Sequence, residues 1–384
     1  MHLIESCQAW ASQNPGRVVF ADALDHRAIQ AAGELVQRGW AKPVLLANPF
    51  ALRDHCIAHG IDMPAVPTLD PSLSPQLDAY VATLRAKRPD MSVEDARRQL
   101  QDPLWYGAMM LVHGDADYCI AGNLSATASV LRAALRVIGL AEGTNTLSSM
   151  FFMISADQST VLGFGDCGVV PEPTSEQLAD IAISTAENFQ RVTEQVPRVA
   201  MLSFSTQGSA KHAAAVHVSQ AAQLARARQP QLLLDGEMQF DAAFVPQVAA
   251  QKAPGSAVAG QANVFIFPTL AAGNIAYKIT ERLGGFKALG PMIQGLRLPM
   301  HDLSRGCSAA DMVEVTLLAM KMNPLPPQRP PLAGHPLIPF SDRYDIRREA
   351  ADSAVARQGD ATTCRIDMEM ESPARQGVRR SPCP

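Results

Sequence analysis

Short apolar, β-branched runs alternate with amphipathic helical stretches along nearly the whole chain, and no other feature limits the possible folds so strongly. Strands are expected at 17–20, 43–47 and 118–121, then at 147–154, 199–204, 232–234, 264–267 and 288–289. Helices are expected at 26–38, 51–60, 125–139, 176–195, 213–228, 241–251 and 271–283. A strand followed by a helix and another strand builds parallel sheets with helices on both faces. The strands are too many for one comfortable sheet, so two α/β domains are expected. Ligands in such folds sit outside the carboxyl ends of strands, where chemistry-bearing residues should be sought.

Composition removes several function classes. Apolar residues make up 47% of the 384, charged residues 18% and aromatics 5%, a globular balance far from disorder. Lys and Arg number 33 against 37 Asp and Glu, a net charge of -4 that argues against nucleic-acid coating and leaves local basic clusters free to bind small anions. No uninterrupted apolar run reaches the roughly 18–20 residues of a membrane span. The opening residues lack a basic segment followed by an apolar one, so no secretory signal is expected. Seven scattered cysteines without CxxC give no disulfide framework or zinc site, and no histidine pair has metal-ligand spacing. A soluble cytoplasmic protein with reduced thiols is expected. At Asn323 the chain turns Pro-rich, and beyond it becomes Arg-rich without apolar periodicity, so 323–384 reads as a disordered tail.

Candidate chemistry lies at strand ends. Residues 163–168 match GxGxxG, yet Val169-Val170-Pro171-Glu172-Pro173 cannot open the helix that a dinucleotide fingerprint needs. The match is rejected. Ala121-Gly122-Asn123-Leu124-Ser125-Ala126-Thr127 leaves a strand for a helix carrying Arg132 and Arg136. It suits an anion at free backbone N–H groups, or equally a Ser125 helix cap with solvated arginines. The 203–211 loop fits a phosphate cradle or an ordinary polar turn. His301-Asp302-Leu303-Ser304-Arg305-Gly306-Cys307-Ser308 puts a hydroxyl, a guanidinium and a thiol at the start of the last helix. A His301–Asp302–Ser304 triad is rejected, because sequence neighbours rarely converge that way and no GxSxG elbow is present. Cys307 reads as a packed small residue and Asp235-Gly236-Glu237 as structural carboxylates. Arg85-Ala86-Lys87-Arg88 ends a helix as a solvated turn or meets a phosphorylated ligand. Ser308-Ala309-Ala310-Asp311 fits the [ST]-x-x-[DE] helix start.

Taken together, 121–132, 203–210, Asp235 to Ala242, Ala272 to Lys278 and 302–308 resemble the phosphate acetyltransferase (phosphotransacetylase) family, over most of the chain up to about Met320. The short forms of ethanolamine utilisation are the most similar. The resemblance implies reversible transfer of acetyl between acetyl-CoA and phosphate, giving acetyl phosphate and CoA. It also implies a homodimer and two α/β domains with mainly parallel sheets, one inserted in the other. These would be 1–143 with 292–322, and 144–291, with the active-site cleft between them. Ser304, Arg305 and Asp311 match the catalytic group, and Arg85 and Arg132 the CoA-contacting arginines. Ser125, Thr127, Asn274 and Lys278 are the corresponding candidates for acetyl phosphate or phosphate. No metal or cofactor beyond the CoA substrates is implied, nor any nucleic-acid or membrane partner. The location implied is cytoplasmic, with association to a microcompartment left open.

The roles follow from chemistry. A thiol with a pKa of about 8.5 needs a base to attack at neutral pH, and Asp311 is the candidate. Arg305 would hold phosphoryl oxygens, and the Ser304 hydroxyl would stabilise charge in the transition state. Direct transfer in a ternary complex suits a chain without a credible nucleophile–base pair. The alternatives are a phosphate butyryltransferase and a non-catalytic effector-binding module of the same fold.

Overall fold

The computed structural model describes residues 2–325. The apolar runs become strands: β1 (Gly16–Phe20), β2 (Ala41–Leu46), β3 (Thr68–Leu69), β4 (Tyr118–Ala121), β5 (Ser148–Ile154) and β6 (Val161–Gly165). They continue with β7 (Arg198–Leu202), β8 (Leu233–Met238), β9 (Val264–Ile266), β10 (Lys287–Gln294) and β11 (Met300–Asp302). One sheet has the order β11-β4-β1-β2-β3 and is parallel throughout. The other has the order β10-β5-β6-β9-β7-β8. It is parallel from β6 to β8 and antiparallel at β10–β5 and β5–β6. The α/β expectation is met, with one sheet wholly parallel and the other mixed.

Helices cover these sheets because their apolar stripes need a partner. One set of buried side chains runs from Val18, Phe20 and Leu45 of the first sheet to Met150, Phe152 and Val264 of the second. Between them lies the helix Ala309–Met322, in which only Ala309, Ala310, Asp311 and Glu314 escape full burial. Three elements differ from expectation. The helix expected over 241–251 breaks into Phe240–Phe244 and Pro246–Lys252, because Pro246 has no N–H to continue the ladder. The helix expected to start at 125 starts at Thr127. The first half of the glycine match at 163–168 lies in β6, with no helix until Ser175–Thr193. A Cβ on Gly165 would stand 2.4 Å from the Thr185 hydroxyl of that helix, so the glycine serves close helix–sheet packing.

Among the described residues no helix is long and apolar enough to cross a membrane. The tail expected over 323–384 lies outside the described residues from 326 onward. Asn323 lies inside them, its carbonyl accepting from Tyr118 Oη at 2.7 Å.

Candidate active site

The chain runs from β1 outward through β2 and β3, then returns to place β4 on the other side of β1. The loops after β1 and β4 therefore part at a topological switch point, where an open parallel sheet leaves its ligand crevice. In register, Asp302 of β11 lies beside Ala121 of β4, so the loop carrying Ser304 and Arg305 leaves at the same edge. Three loops, after β1, β4 and β11, thus meet.

Carboxylates hold them there. Asp22 accepts from the backbone N–H of Gly122 (2.8 Å), Leu124 (3.2 Å) and Ser125 (2.9 Å), and from the Ser125 hydroxyl (2.6 Å). Gly122 has φ +94°, and a Cβ there would lie 2.0 Å from Asp302 Oδ1, so only glycine fits. Ser125 is accordingly not the helix cap. The cap position is Ala126, without a side-chain cap bond, which leaves the helix start open toward the crevice.

A second device joins all three loops. The Arg27 guanidinium pairs with Asp25 at 2.6 Å and donates to the carbonyls of Arg305 (2.8 Å), Cys307 (2.7 Å) and Asn123 (3.1 Å). The Asn123 amide returns to Asp25 at 2.9 Å. Burial pushes the Asp25 carboxyl upward, but hydrogen bonds from Arg27 and Asn123 outweigh it and keep the carboxyl below its usual range. Sequence reasoning missed Asp22, Asp25 and Arg27. Asp25 just before a predicted helix start was the available signal, whereas Arg27 looks like a solvated helix residue.

The clamp leaves Ser304 and Arg305 exposed, and the Arg305 guanidinium has no partner among the described residues. Cys307 is half-buried, and burial drives its thiol up to about 11, far from a nucleophilic thiolate. Ser308 and Asp311 form a reciprocal cap: the Asp311 backbone N–H donates to Ser308 Oγ at 3.1 Å, and Asp311 Oδ2 accepts from the Ser308 N–H at 2.9 Å. Asp311 Oδ1 lies 3.8 Å from Lys287 Nζ on β10, which brings the second sheet beside the helix that follows the 302–308 loop. His301 is buried and held neutral, its pKa pushed down to about 3. Its ring nitrogens meet the Ile293 N–H and the Asn323 amide rather than Ser304, in keeping with the rejected triad.

The remaining candidates spread outward. Thr127 donates to Asp302 Oδ2 at 2.6 Å. Arg132 is exposed on the helix Thr127–Val137, and Arg85 is exposed on Leu77–Lys87, with Nε donating to the Met91 carbonyl at 3.1 Å. Lys87 donates to the Val137 carbonyl, which ties the C-terminal ends of these two helices together. Asn274 and Lys278 belong to the helix Leu270–Arg282 of the second sheet. Asn274 donates to the Cys167 carbonyl at 3.1 Å, and Lys278 is exposed with its Nζ 5.7 Å from the Tyr277 ring centroid. The 203–211 loop holds a carboxylate instead of an anion site: Glu237 accepts from Ser205 Oγ (2.9 Å) and the Gly208 N–H (2.8 Å). Asp235 pairs with Arg226 and Ser256, the structural role expected of it. Among the described residues no group of three or more His, Cys, Asp or Glu side chains is disposed to hold a metal ion.

An exposed guanidinium and a hydroxyl at the switch point of a parallel sheet, beside a thiol that burial keeps protonated, suit an α/β enzyme acting on an anionic substrate. Comparison with known proteins makes this specific. The family model described as "Phosphate acetyl/butaryl transferase" matches residues 2–320. A phosphate acetyltransferase of Acetivibrio thermocellus is 43% identical over 324 residues, covering 83% of this chain and 97% of the relative. The crystal structure of a phosphotransacetylase from Streptococcus pyogenes superposes with a TM-score of 0.79 at 37% identity, covering 84% of this chain and 98% of that one. An EutD phosphotransacetylase from Staphylococcus aureus gives 0.77 at 35%, with 84% and 98% covered. The chain belongs to the phosphate acetyl/butyryl transferase family and is an acyltransferase.

Proposed function

We propose that the protein transfers acetyl reversibly between CoA and phosphate, directly within a ternary complex. The observation that carries this is the clamped loop. Arg27 fixes the carbonyls of Arg305 and Cys307 while the exposed Arg305 guanidinium faces no ion-pair partner among the described residues and the exposed Ser304 hydroxyl, whose oxygen accepts from the Gly306 N–H at 3.3 Å, keeps its proton to donate. Arg305 holds the phosphoryl oxygens, Ser304 donates to charge developing at the acyl centre, and Asp311 takes the thiol proton. Arg85 and Arg132 meet CoA phosphates. Ser125, Thr127, Asn274 and Lys278 serve acetyl phosphate or phosphate. The Cys307 thiol, pushed up by burial, supports a route without an acyl-enzyme. No metal or cofactor enters this reading beyond CoA as substrate.

The reading includes two domains, 1–143 with 292–322 and 144–291, with the substrates in the cleft between them. Lys287 beside Asp311 supports placing the second sheet at the site's edge. It also includes a homodimer, supported by the exposed Ile275 (58%), Ile279 (52%) and Leu283 (85%) spaced four apart along one helix. The reading also places the protein in the cytoplasm and in ethanolamine utilisation, and the likeness to the EutD phosphotransacetylase supports the second. The test is CoA-dependent consumption of acetyl phosphate by purified protein, with acetyl-CoA and butyryl-CoA compared in the reverse direction. Turnover favouring acetyl is expected. Preference for butyryl assigns the family's other activity, and CoA binding without turnover assigns an effector module.

A further inference from the structure

Asp302 ends β11 two residues before Ser304 and is 1% exposed. Its one side-chain hydrogen-bond partner is the Thr127 hydroxyl, 2.6 Å from Oδ2. Among the described residues its Oδ1 is buried without a hydrogen-bond partner, packed where a Cβ of Gly122 would stand. Among the described residues no cation lies within ion-pair distance of it. Thr127 itself is exposed at the first position of its helix, so the pair reaches from a sealed carboxyl to the crevice.

We propose that Asp302 is a proton reserve for the departing phosphate, acting through the hydroxyl of Thr127. This rests on the acetyl-transfer reading above. Burial, with Asp22 facing from the loop after β1, pushes the carboxyl up to about 6, against a smaller opposing pull from Thr127, from the neighbouring Leu303 N–H and from Arg305 of its own loop. Asp302 therefore keeps a useful share of its proton near neutral pH. As sulfur bonds to the acetyl carbon, the carbon–oxygen bond to the phosphoryl group breaks and its electrons go to the leaving oxygen. Fully ionised phosphate is a poor leaving group and needs a proton. The Thr127 hydroxyl gives its proton to phosphate and takes the one on Asp302 Oδ2, while Asp311 takes the thiol proton. Acetyl-CoA and hydrogen phosphate leave, Asp311 returns its proton to water, and Asp302 is reprotonated through Thr127. In reverse, the proton of hydrogen phosphate travels to Asp302 by the same path.

Thr127→Val, Thr127→Ser and Asp302→Asn test this with acetyl phosphate and CoA as substrates. Thr127→Val is expected to lower kcat about 100-fold with the KM for CoA within about threefold, and Thr127→Ser, which keeps the hydroxyl, to recover most of that loss in kcat. In the wild type, kcat for acetyl-CoA formation should fall above a pH of about 6, and kcat for acetyl phosphate formation should fall below it. Asp302→Asn should abolish both limbs. A Thr127→Val enzyme with near-normal kcat overturns the proposal, whether the hydroxyl then proves to bind substrate (raised KM for acetyl phosphate) or only to fix the strand end (lowered Tm). Unchanged limbs in Asp302→Asn overturn it too. Absence of wild-type turnover would instead remove the underlying acetyl-transfer reading, and is seen separately.

Discussion

The Asp311 carboxylate commits one oxygen to the start of its own helix, accepting from Ser308, and turns the other toward Lys287. A cap and a base are therefore both open to it, and magnitude separates them. Losing a cap costs about 0.5–2 kcal/mol of stability and leaves chemistry intact. Losing a general base costs about 100-fold or more in kcat. Asp311→Asn keeps the size and an acceptor but cannot take a proton. The account predicts a large fall in kcat with Tm nearly unchanged. Steady-state rates and thermal melts on the same preparation check this, and near-normal turnover in a destabilised protein would make Asp311 a cap alone. Arg132 is simpler, an exposed guanidinium with no partner among the described residues. Arg132→Ala should raise the KM for CoA about tenfold or more, since a charge-assisted hydrogen bond contributes about 1.5–3 kcal/mol. Equal use of CoA and dephospho-CoA by the wild type would remove a 3′-phosphate role for the arginines.

At the scale of elements, the clamp across β1, β4 and β11 ranks with the loop it holds. Arg27→Lys keeps the charge but cannot reproduce a guanidinium fork spanning three carbonyls and a carboxylate. Misplacing the Ser304 loop by about 1 Å would cost about 100-fold in kcat. Arg27→Lys should therefore lose kcat with little change in CoA affinity, as steady-state kinetics and CoA titration would show. Asp302 makes a separate stability prediction. Its folded pKa lies above the unfolded value of about 3.9, so the native state binds more protons between the two and loses stability as pH rises through them. Asp302→Asn should thus be more stable than wild type at pH 7, on the order of 2 kcal/mol, and less dependent on pH between about 4 and 6. Denaturant melts across that range read both effects. These elements also mark where sequence reasoning stops. The β4 run Tyr118–Ala121 is uniformly apolar and legible to the residue. By contrast, β11 is Met300-His301-Asp302, two polar residues buried by tertiary contacts that no local pattern announces. β6 was hidden because Gly163 and Gly165 imitate a phosphate loop while serving helix packing. Ser304 and Arg305 were legible because one short loop carries them, and Asp311 because Ser308-Ala309-Ala310-Asp311 fits a helix start; grouping the three took the family resemblance. Arg27 was not, because the three carbonyls it binds lie 96 to 280 residues away.

For the whole molecule, Ile275, Ile279 and Leu283 form an apolar stripe exposed at the surface. If it is the contact between two copies, Ile279→Glu should raise the dimer dissociation constant by a factor of about ten or more, through desolvating a charge in an apolar contact. Sedimentation across a concentration series measures this, and an unchanged constant places the dimer contact elsewhere. If one clamped loop carries acetyl from phosphate to the CoA sulfur with no covalent stop on the protein, initial rates with acetyl phosphate and CoA varied against each other should give intersecting lines. Mass analysis of the peptide containing Cys307 should then find it unmodified. Parallel lines with acetyl on Cys307 would rule out direct transfer.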